Sequence, residues 1–151
     1  MLRSILAAIA GYIVIFISIM VLMSVAWMVL GANGAFQPGS YEVTGIWIVA
    51  TIILSLAAAV AGGFVCKAIG RTDLSVKILI GVVIVLGVIS VFYEMGMERA
   101  AGVRPDDIPM FEAMTNGIQP VWLSWLNPIL GAVGVFYGGK LKGSSPAETQ
   151  E

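Results

Sequence analysis

Asn127 and Pro128 stand side by side in the middle of a long apolar run, and theirs is the pairing in this chain that could do chemistry. Proline has no backbone N–H, so in a helix the carbonyl one turn earlier, at Ser124, loses its partner and the helix is expected to kink. Asn127 adds two amide donors and an acceptor oxygen, all of which need partners in an apolar medium. Two uses follow. Asn127 either bonds a neighbouring segment, with Ser55 or Thr51 as partner, and acts as glue. Or the interrupted helix forms a binding site or hinge, the arrangement by which membrane carriers line a substrate cavity. The candidate polar or hinge site is therefore Asn127, Pro128, Ser124 and Ser55.

Other chemistries are excluded more firmly than any is indicated. The chain has no histidine, which removes Ser-His proteases and the usual histidine-ligated iron and haem centres. Its single cysteine, Cys66, excludes an exchanging thiol pair and reads as a small packing residue. Ser75 and Lys77 are two apart and do not share a helical face, so no Ser-Lys dyad forms. Close methionine pairs (Met20/Met23, Met95/Met97, Met110/Met114) are soft donors of the kind that suits Cu(I), but no second ligand type supports them. Glu94 and Glu98, with Asp106 and Asp107, read as a solvated acidic rim; no cation-loop spacing is present. No catalytic, cofactor-binding or metal-ligating residue is assigned, no cofactor is implied, and a non-enzymatic protein is expected.

Small residues at four-residue spacing form the clearest packing signal. Ala59 and Gly63 continue from Ser55 in the second apolar segment, and Gly134 and Gly138, with Gly131 nearby, occupy the fourth. Such stripes let helix backbones approach closely where lipid supplies no hydrophobic drive. They serve packing within the bundle, or else a homodimer or a larger membrane complex.

The elements that must position these residues follow from composition. Apolar residues make up 59% of the 151 and charged residues 11%, far too few charges to cover a soluble domain of this size. The net charge of −1 argues against a nucleic-acid partner. A bilayer core about 30 Å thick needs about 20 apolar residues as helix. Four segments meet that length, over about 4–30, 45–69, 75–97 and 119–139, the last opening at Pro120 in a first helical turn. The first is too long for a cleaved signal, whose apolar core is about 7–15 residues. None alternates as a barrel strand would, so the fold expected is all-α: a polytopic membrane protein with four transmembrane helices in an antiparallel up-down bundle, one domain over 1–142.

Arg3, Lys67, Arg71, Lys77, Lys140 and Lys142 fall on one side of these spans, and Arg99 and Arg104 on the other. The positive-inside rule then puts both termini in the cytoplasm of a cell (plasma or inner) membrane. Trp27, Trp47, Trp122 and Trp125 sit near the opposite ends, where indole favours the headgroup zone. Trp47 and Trp122 each open a segment that ends in Gly then Lys, a likeness that chance between glycine-rich helices accounts for. Residues 98–118 are expected as an outer loop with a short interfacial helix carrying Ile108, Phe111 and Met114, and 143–151 as a disordered cytoplasmic tail. The bilayer is the one partner these features require. The functional reading they favour is an accessory or assembly subunit acting through helix–helix contacts. The alternative is a small transporter or channel with its site at the kinked fourth helix.

Overall fold

The computed structural model describes residues 1–97, 103–106 and 108–143. It is all-α: α1 spans Leu2–Ala35, α2 Gly45–Gly70, α3 Asp73–Gly96, α4 Met110–Asn116 and α5 Val121–Gly143. The four long helices are each long and apolar enough to cross a membrane. Helix is what such segments must adopt in lipid, because every backbone N–H and C=O then finds its partner within the segment. The boundaries differ from those expected by up to five residues, most of all at α1, which continues to Ala35. Its helix is broken at Gly31, where φ is 62° and ψ −176°, a conformation open to glycine alone. At Asn127-Pro128, by contrast, α5 stays helical through both residues.

Two sets of contacts define the ends of the bundle. At one, the terminal end, the Arg3 Nε donates to the Ile69 carbonyl at 3.0 Å, and Ser4 meets Thr72 at 3.3 Å. Here α2 closes on Arg71, a non-glycine residue in the left-handed region (φ 59°), whose N–H reaches the Lys67 carbonyl. Gly70 is helical and needed for space, because a Cβ there would strike Ser75. The Ser75 hydroxyl donates to the Thr72 carbonyl at 2.6 Å, and Lys67 pairs with Asp73.

At the other, the loop end, one side chain joins two helices. The Thr44 hydroxyl donates to the Gly34 carbonyl at 2.6 Å and accepts from the Trp47 N–H at 3.2 Å, capping α2. The intervening loop pairs Phe36 with Val43, and Val43 and Tyr41 exchange backbone bonds with Ile118, just before α5. Arg104 is 2% exposed and staples this end. Its guanidinium donates to the Ser40 carbonyl, the Pro105 carbonyl and Asn33 Oδ1 at 2.9–3.2 Å, and lies 5.7 Å from the Phe36 ring centre. In α4 the buried residue is Ala113, while Phe111 and Met114 point outward and Ile108, before the helix, is buried. The apolar spacing of three therefore does not mark a single face: Ile108 joins the buried cluster at this end, Phe111 is exposed, and Met114 is only partly covered. Glu98, Arg99, Asp107 and the tail residues 144–151 lie outside the described residues, so the acidic rim is seen only through Glu94 and Asp106.

The bundle is tight at the terminal end because that is where the small residues meet. Cβ atoms built on Gly11 and Gly62 would lie 2.9 and 2.7 Å from each other's carbonyl oxygens, bringing α1 against α2. A Cβ on Gly63 would press the backbone of Val135, one on Gly138 the backbone of Val60 and Phe64, and one on Gly134 would lie 2.5 Å from the Ala59 side chain. These pairs seat α2 on α5. Ala7, Ala8, Cys66, Leu79 and Val135 fill the core between the helices at this level. No such stripe continues toward the loop end, and no Cα atom of α1 lies within 8 Å of a Cα atom of α5 among the described residues. The space between them opens there.

Candidate functional site

Each long helix is divided in role along a single face. On α2, Thr51 and Ser55 precede Ala59 and Gly63 at four-residue steps, so the polar pair sits directly above the packing pair. On α5, Ser124, Asn127, Pro128 and Gly131 precede Gly134 and Gly138. α3 contributes Gly87, Ser90, Val91 and Glu94, and α1 adds Tyr12, Ile15, Ile19 and Met23. Where the small residues end, these side chains enclose a cavity of about 370 Å³. That volume falls in the range of small-molecule sites, about 300–1,000 Å³.

All four residues of the expected polar site line this cavity: Asn127, Pro128, Ser124 and Ser55. Ala59 and Gly131 form its narrow end, and Gly63, Gly134 and Gly138 lie below it in the α2–α5 seam. Pro128 is buried against α3, where a Cβ on Gly87 would come within 2.6 Å of the ring. Gly87 thus admits the proline. A Cβ on Gly131 would lie 2.6 Å from Val83, so α3 rests on α5 at two adjacent points.

The hydrogen bond expected between Asn127 and α2 is not formed. Asn127 Oδ1 and Thr51 Oγ1 are both buried, both line the cavity, and neither has a partner among the described residues. An unpaired buried polar group costs about 1–3 kcal/mol, so two of them on cavity-lining residues are an expensive feature for a bundle to keep. The cavity is otherwise lined by the hydroxyls of Tyr12, Ser55, Ser90 and Ser124, by the Glu94 and Gln119 side chains and by aliphatic surface.

Toward the loop end the cavity meets a second one of about 280 Å³, lined by Met20, Met110, Met114, Trp27, Phe36 and Trp47. Met23, Ile19, Glu94 and Gln119 belong to the walls of both. At this junction the Gln119 amide donates to Glu94 Oε1 at 2.7 Å. Glu94 is thus not part of a free rim but is held across the passage by the residue that leads into α5. Spacing alone did not reveal this pair, since the two residues are 25 apart. Two of the three methionine pairs, Met20/Met23 and Met110/Met114, converge on the second cavity, while Met95 and Met97 are exposed. Among the described residues no cluster of three or more histidine, cysteine or acidic side chains could hold a metal.

Beyond the junction Tyr41 donates to Glu112 Oε1 at 3.2 Å. Burial, and then this bond to a carboxylate, push the Tyr41 phenol above its ordinary value. Trp27 meets Trp47 edge-on at 6.1 Å, and Phe92 meets Trp125 at 5.9 Å. Of these rings, Trp27 and Trp47 line the second cavity, whereas Phe92 and Trp125 are exposed. Comparison with known proteins returns no matching family model, no matching characterised protein and no matching solved structure.

Proposed function

We propose that this is a small non-enzymatic membrane protein that binds a neutral, hydrogen-bonding solute at Asn127 and Thr51 and conducts it toward the loop end, as a small carrier or channel. The observation that carries the reading is the pair of buried, unpartnered oxygens in a cavity of about 370 Å³. A neutral donor-bearing ligand would satisfy both, and Glu94, the acidic side chain in the wall, is already engaged by Gln119. The accessory-subunit reading drew on small-residue stripes free to engage a partner. Those stripes are used within the bundle, as the sequence also allowed, and this favours the carrier reading over the accessory one.

The contacts between Arg3 and Ile69, and between Thr44 and Gly34, support the antiparallel up-down arrangement. The excess of lysine and arginine at the terminal end favours both termini in the cytoplasm of a cell membrane. The loop-end mouth would then face outward.

The test uses proteoliposomes, a panel of neutral polyols and amides, and Asn127→Leu, a near-isosteric change that deletes the orphaned oxygen. One or more solutes should enter wild-type vesicles faster than protein-free ones, and Asn127→Leu should abolish that entry without lowering thermal stability. Ser90→Cys in a Cys66→Ala background should react with a membrane-impermeant thiol reagent added at the mouth. If no solute crosses faster and the introduced thiol resists the reagent, the cavity is not a pathway.

A further inference from the structure

We infer that the solute of the polar cavity is a small neutral aromatic alcohol or amide, its donor group held at Asn127 and Thr51 and its ring seated in the second cavity. This rests on the carrier reading above and adds to it the chemical class of the cargo. Register along two helices joins the cavities. On α2, Trp47, Thr51 and Ser55 follow one another at four-residue steps, and on α1 Ile19, Met23 and Trp27 do the same. Residues four apart share a helical face and stand about 6 Å apart along the axis. Trp47 is thus one turn beyond the orphaned Thr51 oxygen, and Trp27 one turn beyond Met23, on faces that line the two cavities. The two indoles meet edge-on, with centres 6.1 Å apart. A solute bonded at Thr51 therefore finds indole about one turn, roughly 6 Å, further on. A linker of two or three carbons spans that reach.

The two walls differ in chemistry, and the difference sets the form of the ligand. The first cavity offers hydroxyl and amide oxygens among aliphatic side chains. The second is lined by the rings of Trp27, Phe36 and Trp47 and by four methionines, Met20 and Met23 of α1 and Met110 and Met114 of α4. Aromatic rings favour edge-to-face partners, and thioether sulfur packs well against ring edges, so this wall suits a flat, polarisable ring. The head group is constrained from the other side. Asn127 Oδ1 is an acceptor without a partner among the described residues, so the ligand must donate to it. An alcohol or a primary amide donates; an aromatic carboxylate does not. Glu94, in the wall of both cavities, would also repel a carboxylate passing between them.

The probe is para-bromophenylpropanol, whose bromine quenches an indole that it touches, added to full-length protein in phosphatidylcholine nanodiscs. Trp122 and Trp125 are exposed on the bundle and report partition into lipid, a quenching that grows without saturating. Trp27 and Trp47 should add a saturable component, and Trp27→Phe/Trp47→Phe should remove it while keeping an apolar ring at both positions. In wild-type protein, phenylpropanol should displace the probe at a free concentration about 10- to 100-fold below that of propanol, through burial of its ring. The phenylpropyl methyl ether, which keeps the ring but cannot donate, should compete about tenfold less well than the alcohol. Equal competition by propanol and phenylpropanol overturns this proposal and leaves the carrier reading intact. Equal competition by the ether, or stronger competition by phenylpropylamine, which is charged at neutral pH, overturns it too. So does quenching with no saturable component. Entry of small polyols and amides into vesicles judges the carrier reading separately.

Discussion

Gly63→Ala is the sharpest probe of the seam on which the cavity rests. A Cβ at Gly63 would meet Val135 of α5, with the Cα at 2.7 Å and the carbonyl carbon at 2.8 Å. Both are backbone atoms and cannot rotate away. Restoring ordinary carbon contacts of about 3.5 Å means moving α5 off α2 by roughly 1 Å. That shift also loosens the neighbouring contacts at Gly134 and Gly138. Overpacking of this kind costs about 1–3 kcal/mol, and the shared seam argues for the upper half of the range. The matched control is Gly81→Ala on α3, where nothing lies within 4 Å and the residue is exposed. There the same methyl should stabilise by about 0.5–1 kcal/mol through helix propensity alone. Thermal unfolding in detergent, followed by tryptophan fluorescence, should separate the two variants by several degrees, at about 2–4 °C per kcal/mol. Equal midpoints would refute the α2–α5 seam. A halved particle mass with an unchanged midpoint would show that Gly63 serves a homodimer instead.

Arg104→Leu should destabilise the loop end by about 2–3 kcal/mol, since it strips charged donors from Ser40 and Asn33. Arg104→Lys should rescue little, because an ammonium cannot span those acceptors; limited proteolysis of the loops reads both. The Tyr41 phenol is held above its ordinary value, so its contribution is complete below about pH 10 and lost as pH rises through the folded value. Proteolysis of the loop end should therefore accelerate above about pH 10 in the wild type, and Tyr41→Phe should remove that step; an identical profile in both contradicts it. Arg71→Gly should raise the unfolding midpoint by a few degrees, as it relieves a left-handed residue costing about 1–2 kcal/mol. No rise would mean that Arg71 is not strained there.

Four spanning helices were legible in the sequence because the bilayer criterion is one of length and apolar content, and both are local. The residues of the polar site were legible for a similar reason: Asn127 and Pro128 are rare in an apolar run, and Ser55 and Ser124 are their nearest polar neighbours by spacing. Helical periodicity likewise put Ala59 and Gly63 on one face of their helix, and Gly134 and Gly138 on one face of theirs. What spacing cannot state is the partner of each face. That Thr51 and Asn127 confront a cavity rather than each other depends on where the glycine stripes stop, and so on how far α1 and α5 are held apart. The Glu94–Gln119 contact and the Arg104–Asn33 contact join residues 25 and 71 positions apart. The break at Gly31 rather than at Pro128 was decided the same way. Neighbouring helices support α5 through its proline, with Gly87 making room for the ring, whereas Gly31 has no atom of another residue near its face to hold it helical. Local sequence determined what could span and what could bend; packing decided which of those possibilities was used.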